Sequence, residues 1–399
     1  MLLPDPEPRD ATYLLISVDD HVIEPADLFE GRMPSDLAGK APRLVDYQGG
    51  LAWVLEDLVL PNFGLNAVAG RPPEEWNDEP QAWDEMRRGC WQIDARIADM
   101  DINGVYASVC FPSRVAGFGG ARFAEVKDQA LGLACVRAWN DWHIEAWAGP
   151  YPDRIIPLQV PWLNDPVVAA GEVRRNAERG FKTVTFLDNP PALGLPPVWT
   201  GHWDPFFRAC EETGTVLSIH ICASGLTQES FDVTSLDMAR AGAIESAGTM
   251  VYGIKTAITW LYGGVFTRFP GLKVTLAESG AAWVPALLDR LHYMEGHAGT
   301  TFRKAWADPE LSPSEVLLRN FWFCAFDDFS AIEARHRIGV ENLLLEVDYP
   351  HSDGTWPDSQ LRALRLLDGV PDEDVKKITH GNAAALFRHP LPADEGVRA

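Results

Sequence analysis

The sequence predicts an α/β fold, a (β/α)8 TIM barrel, in a chain of 399 residues. Eight short apolar segments, rich in Val, Ile, Leu or Phe, alternate along it with amphipathic segments. Such continuous apolar runs are typical of strands that are covered on both faces. Acidic and histidine residues follow three of these runs, and a barrel builds its active site at the carboxyl ends of its strands. An open sheet rarely needs eight β–α repeats, so a closed barrel is favoured.

The predicted strands are the apolar runs at 14–18, 104–111, 154–160, 183–187, 216–221, 273–277, 321–326 and 343–347. Predicted helices occupy 93–102, 124–148, 166–179, 204–213, 284–294, 330–338 and 372–387. Gly149-Pro150, Gly180 and Gly214 follow three of these helices, as expected where helices end. We expect one domain over 1–399, since a chain of this length can bury one large core.

Two segments exceed the minimal repeat. Residues 25–90 lie between the first and second strands and are rich in Pro, Gly and Trp, including Trp53, Trp76 and Trp83. Long loops in compact domains are usually functional or disordered, and the tryptophans argue against disorder. We therefore interpret this insertion as a lid or a dimer arm. A second insertion after the fifth strand, 222–264, has helical character. Both follow the carboxyl end of a strand, on the active-site face.

Composition excludes several classes of partner. The chain has 57 acidic and 34 basic residues, a net charge of −23, and no basic block, so binding to nucleic acid is not expected. No apolar run is long enough to span a bilayer, and the proline-broken N-terminus does not resemble a signal peptide. The six cysteines are far apart without a CxxC motif, which predicts reduced thiols and a cytoplasmic protein.

Four candidate metal ligands follow predicted strands one, five and eight. Asp19 and His21 have i, i+2 spacing, so their side chains point to the same side of the first strand. His220 ends the fifth strand and Asp348 the eighth. Each has an ordinary alternative, because Asp19 or Asp348 could cap a turn and a lone histidine is more often a hydrogen-bonded core residue. Strands one and eight are neighbours in a closed barrel and strand five lies across its mouth, so the coincidence favours a metal site.

Several motifs together resemble the amidohydrolase-2 family, the branch of the amidohydrolase superfamily that contains aminocarboxymuconate semialdehyde decarboxylase. They are SVDDHVIEP, the strand-five histidine, LAESGAAWVPALLDR, EVDYPHSDGTWP and ITHGNAAALF, and they cover about 17–387. The resemblance implies a (β/α)8 barrel with one divalent ion held by an H-x-H pair, a strand-five His and a strand-eight Asp. The corresponding ligands here are Asp19, His21, His220 and Asp348.

The chain departs from the family pattern at two positions. Asp19 replaces the first histidine of the pair, which keeps zinc as the expected ion but makes manganese or magnesium more competitive. Glu278 stands where the family often has a catalytic histidine after strand six. It could act as a general base or only hydrogen-bond a ligand histidine, and the sequence does not favour either role.

Other residues are candidates for catalysis and substrate binding. His351 could face the metal-bound water or substrate, or it could be a loop histidine held by Asp353. Arg114 could bind an anionic substrate group or form a buried ion pair. Trp283 and other tryptophans near strand ends could line an aromatic pocket, although tryptophans are more often simply packed.

The expected activity is metal-dependent hydrolysis of a C–N or C–C bond in a bulky small-molecule substrate. A metal ion lowers the pKa of bound water, and Asp348, or Glu278 with His351, would take its proton. The alternative is non-oxidative decarboxylation of an aromatic or unsaturated carboxylic acid. The additional carboxylates favour hydrolysis, whereas the better-known relatives are decarboxylases. A catalytically silent metal-binding barrel is a third interpretation, and a homodimer is expected from the family resemblance.

Overall fold

The fold is an eight-stranded parallel β/α barrel. The computed structural model describes residues 2–8, 11–76, 79–224, 236–297, 304–306, 308 and 310–393. The barrel strands are β1 (Ile16–His21), β5 (Ala107–Phe111), β6 (Ile155–Ile156), β7 (Leu158–Gln159), β8 (Thr183–Phe186), β9 (Val216–His220), β10 (Val274–Ala277), β11 (Phe321–Ala325) and β12 (Leu343–Leu345). All eight predicted strand positions are confirmed.

The barrel closes through a single split strand. The hydrogen-bonded order is β6-β5-β1-β12-β11-β10-β9-β8-β7, so β6 and β7 form the two ends of the sheet. Only Pro157 separates these two short strands, and its carbonyl accepts from the N–H of Lys182 at 3.0 Å. Proline has no N–H to donate to a ladder, which explains why the predicted strand 154–160 is interrupted here.

Helices cover the outside of the barrel. They are Ile93–Asn103, Ala121–Ala124, Gln129–Trp142, Pro166–Glu178, Asp204–Thr213, Met238–Ala247, Thr249–Tyr262, Val265–Arg268, Val284–His297, Pro313–Asn320, Phe329–Glu333, Arg335–Ile338, Ser359–Leu366, Asp372–Lys376 and Asn382–Phe387. The predicted helix 124–148 is wrong as one helix, because Asp128 caps a new helix by accepting from the N–H of Leu131. The predicted helical insertion after the fifth barrel strand is present in Met238–Ala247 and Thr249–Tyr262, and residues 225–235 lie outside the described residues.

The insertion after β1 contains an antiparallel sheet that was not predicted. Strands β2 (Arg43–Tyr47), β3 (Gly50–Leu55) and β4 (Leu58–Pro61) form it in the order β2-β3-β4. Trp53 is fully buried within the same chain, and the Trp83 ring lies 4.7 Å from those of Phe63 and Trp91. The rings of Trp53 and Trp83 therefore pack within this chain, whereas Trp76 is 36% exposed.

The described residues agree with two further expectations. All six cysteines are free thiols, and five of them are buried. None of the described helices combines the length and the apolar character that a membrane span requires.

Candidate metal centre

Strand β1 carries Asp19 and His21 into the barrel mouth. All six of its residues are buried, and it continues through both side chains instead of ending at residue 18 as predicted. The Asp19 carbonyl accepts from the N–H of Asp348 at 2.8 Å, and the His21 N–H donates to the Tyr349 carbonyl at 2.7 Å. These backbone bonds join the end of the first strand to the loop after the last one. They bring the ligand candidates of β1 and of that loop together.

His220, the last residue of β9, points one ring nitrogen at His21. Its Nδ1 lies 2.7 Å from the Ile221 carbonyl, which can only accept, so Nδ1 carries the proton. The Nε2 atom of the neutral ring is then left with a lone pair, and it lies 3.2 Å from His21 Nε2. A backbone carbonyl that fixes the tautomer in this way is a common support for a metal-binding histidine.

Glu278 and Asp348 both have a left-handed backbone, with φ of 55° and 57°. This conformation is uncommon for residues other than glycine and concentrates at functional sites. Glu278 directly follows Ala277, which is registered against His220, and its Oε2 lies 3.6 Å from His220 Nε2. Asp348 Oδ1 lies 3.3 Å from His21 Nε2. The two strained positions therefore direct their carboxylates at the two histidines.

His351 completes the cluster. Its Nδ1 lies 3.1 Å from Asp348 Oδ1 and 3.8 Å from Glu278 Oε1, and its ring stacks on that of His21 with centroids 3.7 Å apart. The partners of His351 are thus Asp348 and Glu278, and no ion pair with Asp353 is found within the described part of the chain. His351 belongs to the site.

The donor set fits a divalent cation. Two overlapping groups have one ligand atom per residue within 4.8 Å of the others: Asp19, His21, His220, Glu278 and His21, Glu278, Asp348, His351. Both carboxylate oxygens of Asp19 are buried without a hydrogen-bond partner in the described structure, and the buried carboxylate of Asp348 has the His351 ring 3.1 Å from Oδ1 but no partner at Oδ2. Leaving buried anionic oxygens without partners is costly, and a cation between them removes that cost. The structure therefore places Asp19, His21 and His220 in one group and links Asp348 to it through His21 and Glu278, with His351 as a further member.

Burial and neighbouring charged groups shift the pKa values of the cluster residues. Burial, and then the nearby Glu278, raise the pKa of Asp19 well above its usual range. Burial would lower the pKa of His351, but Asp348 and Glu278 outweigh it and raise that pKa to about 10. Burial, followed by the neighbouring His351 and His220, lowers the pKa of His21 well below its usual value. A neutral His21 keeps the lone pair that a metal ligand requires.

A cavity of about 240 Å³ opens beside the cluster. Glu278 and Asp348 line it, and so does Trp283, the proposed pocket residue, whose indole N–H donates to the Gly280 carbonyl at 2.9 Å. Arg114 does not line this cavity, and its Nε donates to the Pro61 carbonyl of β4 at 2.7 Å. Arg114 thus ties the insertion to the barrel.

Several residues around the site were missed from the sequence. Asp20 accepts from the N–H of Tyr349 at 2.9 Å and so fixes the loop that carries Asp348. Phe118 packs on His220 and His21, with ring centroids 4.3 and 4.9 Å apart. Glu346 is buried and accepts from the N–H of Glu278 at 3.1 Å. A charged residue within an apolar strand segment was the available signal for Glu346.

The family assignment follows from a model of the amidohydrolase 2 family, described as amidohydrolase, that matches residues 47–389. The chain belongs to the amidohydrolase 2 family. It is accordingly a metal-dependent enzyme of the amidohydrolase superfamily. This confirms the resemblance stated from the sequence.

Three solved structures illustrate how this amidohydrolase resembles known folds. An amidohydrolase from Mycobacterium avium subsp. paratuberculosis has a TM-score of 0.70 and 24% identity, covering 95% of this chain and 100% of its own. The 5-carboxyvanillate decarboxylase from Novosphingobium aromaticivorans is complexed with manganese and 4-hydroxy-3-methoxy-5-nitrobenzoic acid. It has a TM-score of 0.65 and 20% identity, and the match covers 96% of this chain and 98% of its own. The 2,6-dihydroxybenzoate decarboxylase from Rhizobium has a TM-score of 0.60 and 17% identity, and the match covers 94% of this chain and 99% of its own. At these identities the structures establish the fold.

Proposed function

We propose that this amidohydrolase is a metal-dependent, non-oxidative decarboxylase of an aromatic carboxylic acid. The observation that carries the proposal is a pair of overlapping groups of acidic and histidine ligands, one with Asp19 and His220 and the other with Asp348, beside a cavity lined in part by aromatic residues. Neighbours that cover almost the whole chain include two aromatic-acid decarboxylases. These comparisons support the decarboxylase alternative better than the hydrolase that the sequence favoured.

The residues of the chain can bind the substrate and supply a proton. Asp19, His21, His220 and Asp348 would hold the ion, with Glu278 within reach of the same atoms. When bound, the divalent ion supplies the positive charge that attracts the substrate carboxylate. The bond between the ring carbon and the carboxylate breaks, its electron pair stays on that carbon, and a proton takes the place of the departing CO₂. The Asp348–His351 pair, 3.1 Å apart, can hold and deliver that proton.

We propose manganese as the ion, instead of the zinc expected first. Each of the two ligand groups contains two carboxylates and two histidines, and neither contains a cysteine. Carboxylate-rich sites suit manganese and magnesium better than sulfur-rich or nitrogen-rich sites do. The 5-carboxyvanillate decarboxylase neighbour is complexed with manganese.

Hydrolysis is the second candidate, and Glu278 favours it. Its carboxylate lies 3.6 Å from His220 and 3.8 Å from His351, so it could take a proton from a water that the ion would activate in this site. A general base must lie within hydrogen-bond reach of the proton that it removes. Glu278 satisfies that geometric requirement.

The test is release of CO₂ from a panel of aromatic acids that includes 2,6-dihydroxybenzoate and 5-carboxyvanillate. Manganese-loaded protein is expected to release CO₂ from at least one member, whereas chelator-treated protein and the Asp348→Asn variant are not. Amides and lactams form a parallel panel. Turnover of that panel without CO₂ release from any acid would replace decarboxylation by hydrolysis.

We further propose that the enzyme is a cytoplasmic homodimer. Its six free thiols support a reducing compartment. Exposed apolar side chains support association, and they lie on the helices after β9 as well as on the insertion after β1: Ile244, Met250, Val251, Ile258, Tyr47, Val59 and Trp76. Exposed apolar groups of this kind often mark contacts between proteins. The role of 25–90 as a lid or dimer arm stays part of this proposal.

A further inference from the structure

The cavity beside the metal centre has an unusual charge for an enzyme that acts on an acid. Five of its described lining residues are acidic: Glu278, Asp328, Glu346, Asp348 and Asp353. No Lys, Arg or His is among the described lining residues. Glu278 and Asp348 belong to the metal cluster, so their charge is offset when a dication is bound. The other three carboxylates have no cation beside them in that lining.

Glu346 is the deepest of these three acids. Its side chain is 2% exposed, Oε2 accepts the N–H of Glu278, and Oε1 has no hydrogen-bond partner among the described residues. The buried thiol of Cys324 interacts with the Glu346 carboxylate, and a thiol is only a weak donor. A carboxylate that lines a cavity and has one oxygen without a strong donor is suited to receive a donor from a ligand.

Asp328 is a second acidic residue of the cavity lining, and it is partly exposed. One of its oxygens, Oδ2, accepts from the N–H of Ala281 at 2.8 Å, and a carboxylate retains further acceptor positions after one such bond. Trp283, Met250 and Phe326 provide apolar surface in the same cavity. The lining thus offers acceptors for a donor group beside a surface for a ring or an alkyl chain.

We propose that Glu346, with Asp328, forms a specificity subsite for a protonated amine on the substrate. This deepens the proposed function and rests on it: the substrate would be an aromatic acid with an amine-bearing substituent. The amine donates to the carboxylates of Glu346 and Asp328, while the carboxylate at the other end of the substrate faces the metal cluster. A second carboxylate in place of the amine is disfavoured, because like charges in a partly buried cavity repel.

The experiment uses three para-substituted benzoates of similar size and manganese-loaded protein in titration calorimetry. The ligands are 4-(aminomethyl)benzoate, 4-methylbenzoate and terephthalate. We expect the amine to bind at least about tenfold more tightly than the methyl compound, the scale of one charge-assisted hydrogen bond. Terephthalate is expected to bind most weakly of the three.

Variants separate the subsite from the general attraction of an acidic protein for amines. Glu346→Gln is expected to bring the amine and methyl affinities within about threefold of each other while retaining manganese and the affinity for 4-methylbenzoate. Asp327→Asn is the matched control. It removes one negative charge next to Asp328 in sequence, but Asp327 does not line the cavity. It is expected to keep the full preference for the amine.

Three results would contradict the proposed amine subsite. They are equal affinity of the wild type for the amine and methyl ligands, an unchanged preference for the amine in Glu346→Gln, and no binding of any ligand in the series. Each can occur while another aromatic acid loses CO₂, and then only the subsite fails. Conversely, the expected preference together with no CO₂ release from any acid would leave the amine subsite in place and remove the decarboxylase function.

Discussion

Replacement of Asp348 by Asn is expected to raise stability without metal and to lower activity. Asp19, Glu346 and Asp348 are buried at 0%, 2% and 0% exposure, and each has at least one oxygen without a hydrogen-bond partner in the described structure. His351 can neutralise only one of the buried carboxylates around it, so removing one of them relieves like-charge repulsion, worth about 1–3 kcal/mol. Unfolding entropy of about 2.1 cal/mol/K per residue gives about 0.8 kcal/mol/K for this chain. The metal-free Tm is therefore expected to rise by about 1–4 °C.

With manganese bound, the wild type is expected to unfold at a higher temperature than Asp348→Asn. At a concentration of about one hundred times the wild-type Kd, metal binding stabilises the wild type by about 2.7 kcal/mol, a rise of about 3 °C. A variant whose Kd is about a hundredfold weaker gains only about 0.4 kcal/mol at the same concentration. Turnover is expected to fall at least about a hundredfold, the scale for a general acid or base.

The assay is thermal unfolding of wild type and Asp348→Asn, each with chelator and with manganese. Asp368→Asn is the control, because residue 368 is exposed and its charge is already solvated. A metal-free variant that unfolds below wild type, with an equal manganese shift in both proteins, would refute the reasoning. Asp348 would then be a structural residue of the loop.

Three further predictions concern the other ligands, Glu278 and assembly. His220→Ala is expected to weaken manganese binding at least about tenfold, measured by elemental analysis after dialysis, and equal metal in both proteins would remove His220 from the ligand set. Glu278→Gln is expected to keep the metal but lose at least about a hundredfold in turnover, and wild-type kinetics in this variant would exclude a catalytic role. Light scattering at micromolar concentration is expected to give about twice the chain mass of 44.1 kDa, and a monomer mass would contradict the homodimer.

The barrel and its ligand positions could be predicted because each depends on a local pattern. Continuous apolar runs indicated the eight strands, and the polar residues that interrupt them indicated the strand ends. The same reasoning ended β1 too early, because Asp19 and His21 are polar and polar residues are normally excluded from buried strands. In the structure they stay in the strand because their side chains face the cluster and each other.

Other features have weaker or no local signals. The left-handed backbone of Glu278 and Asp348 is imposed by tertiary contacts and has no counterpart in residue type. Glu346 was recognisable as a charged residue in an apolar run, but the metal-ligand role of this segment was assigned to Asp348, two residues further on. The sheet β2–β4 did have a signal, since Gln48 and Gly49, both with positive φ, form a two-residue hairpin turn. Its Pro- and Trp-rich surroundings indicated an irregular lid instead.

Decarboxylation in D₂O is the most direct test of the proposed activity. Manganese-loaded protein would be incubated with each aromatic acid of the panel, and the product examined by NMR together with the CO₂ released. We predict one equivalent of CO₂ and one deuteron on the ring carbon that carried the carboxylate, with neither in Asp348→Asn. Substrate turnover with the carboxylate intact and no deuterium on the ring would contradict a decarboxylase.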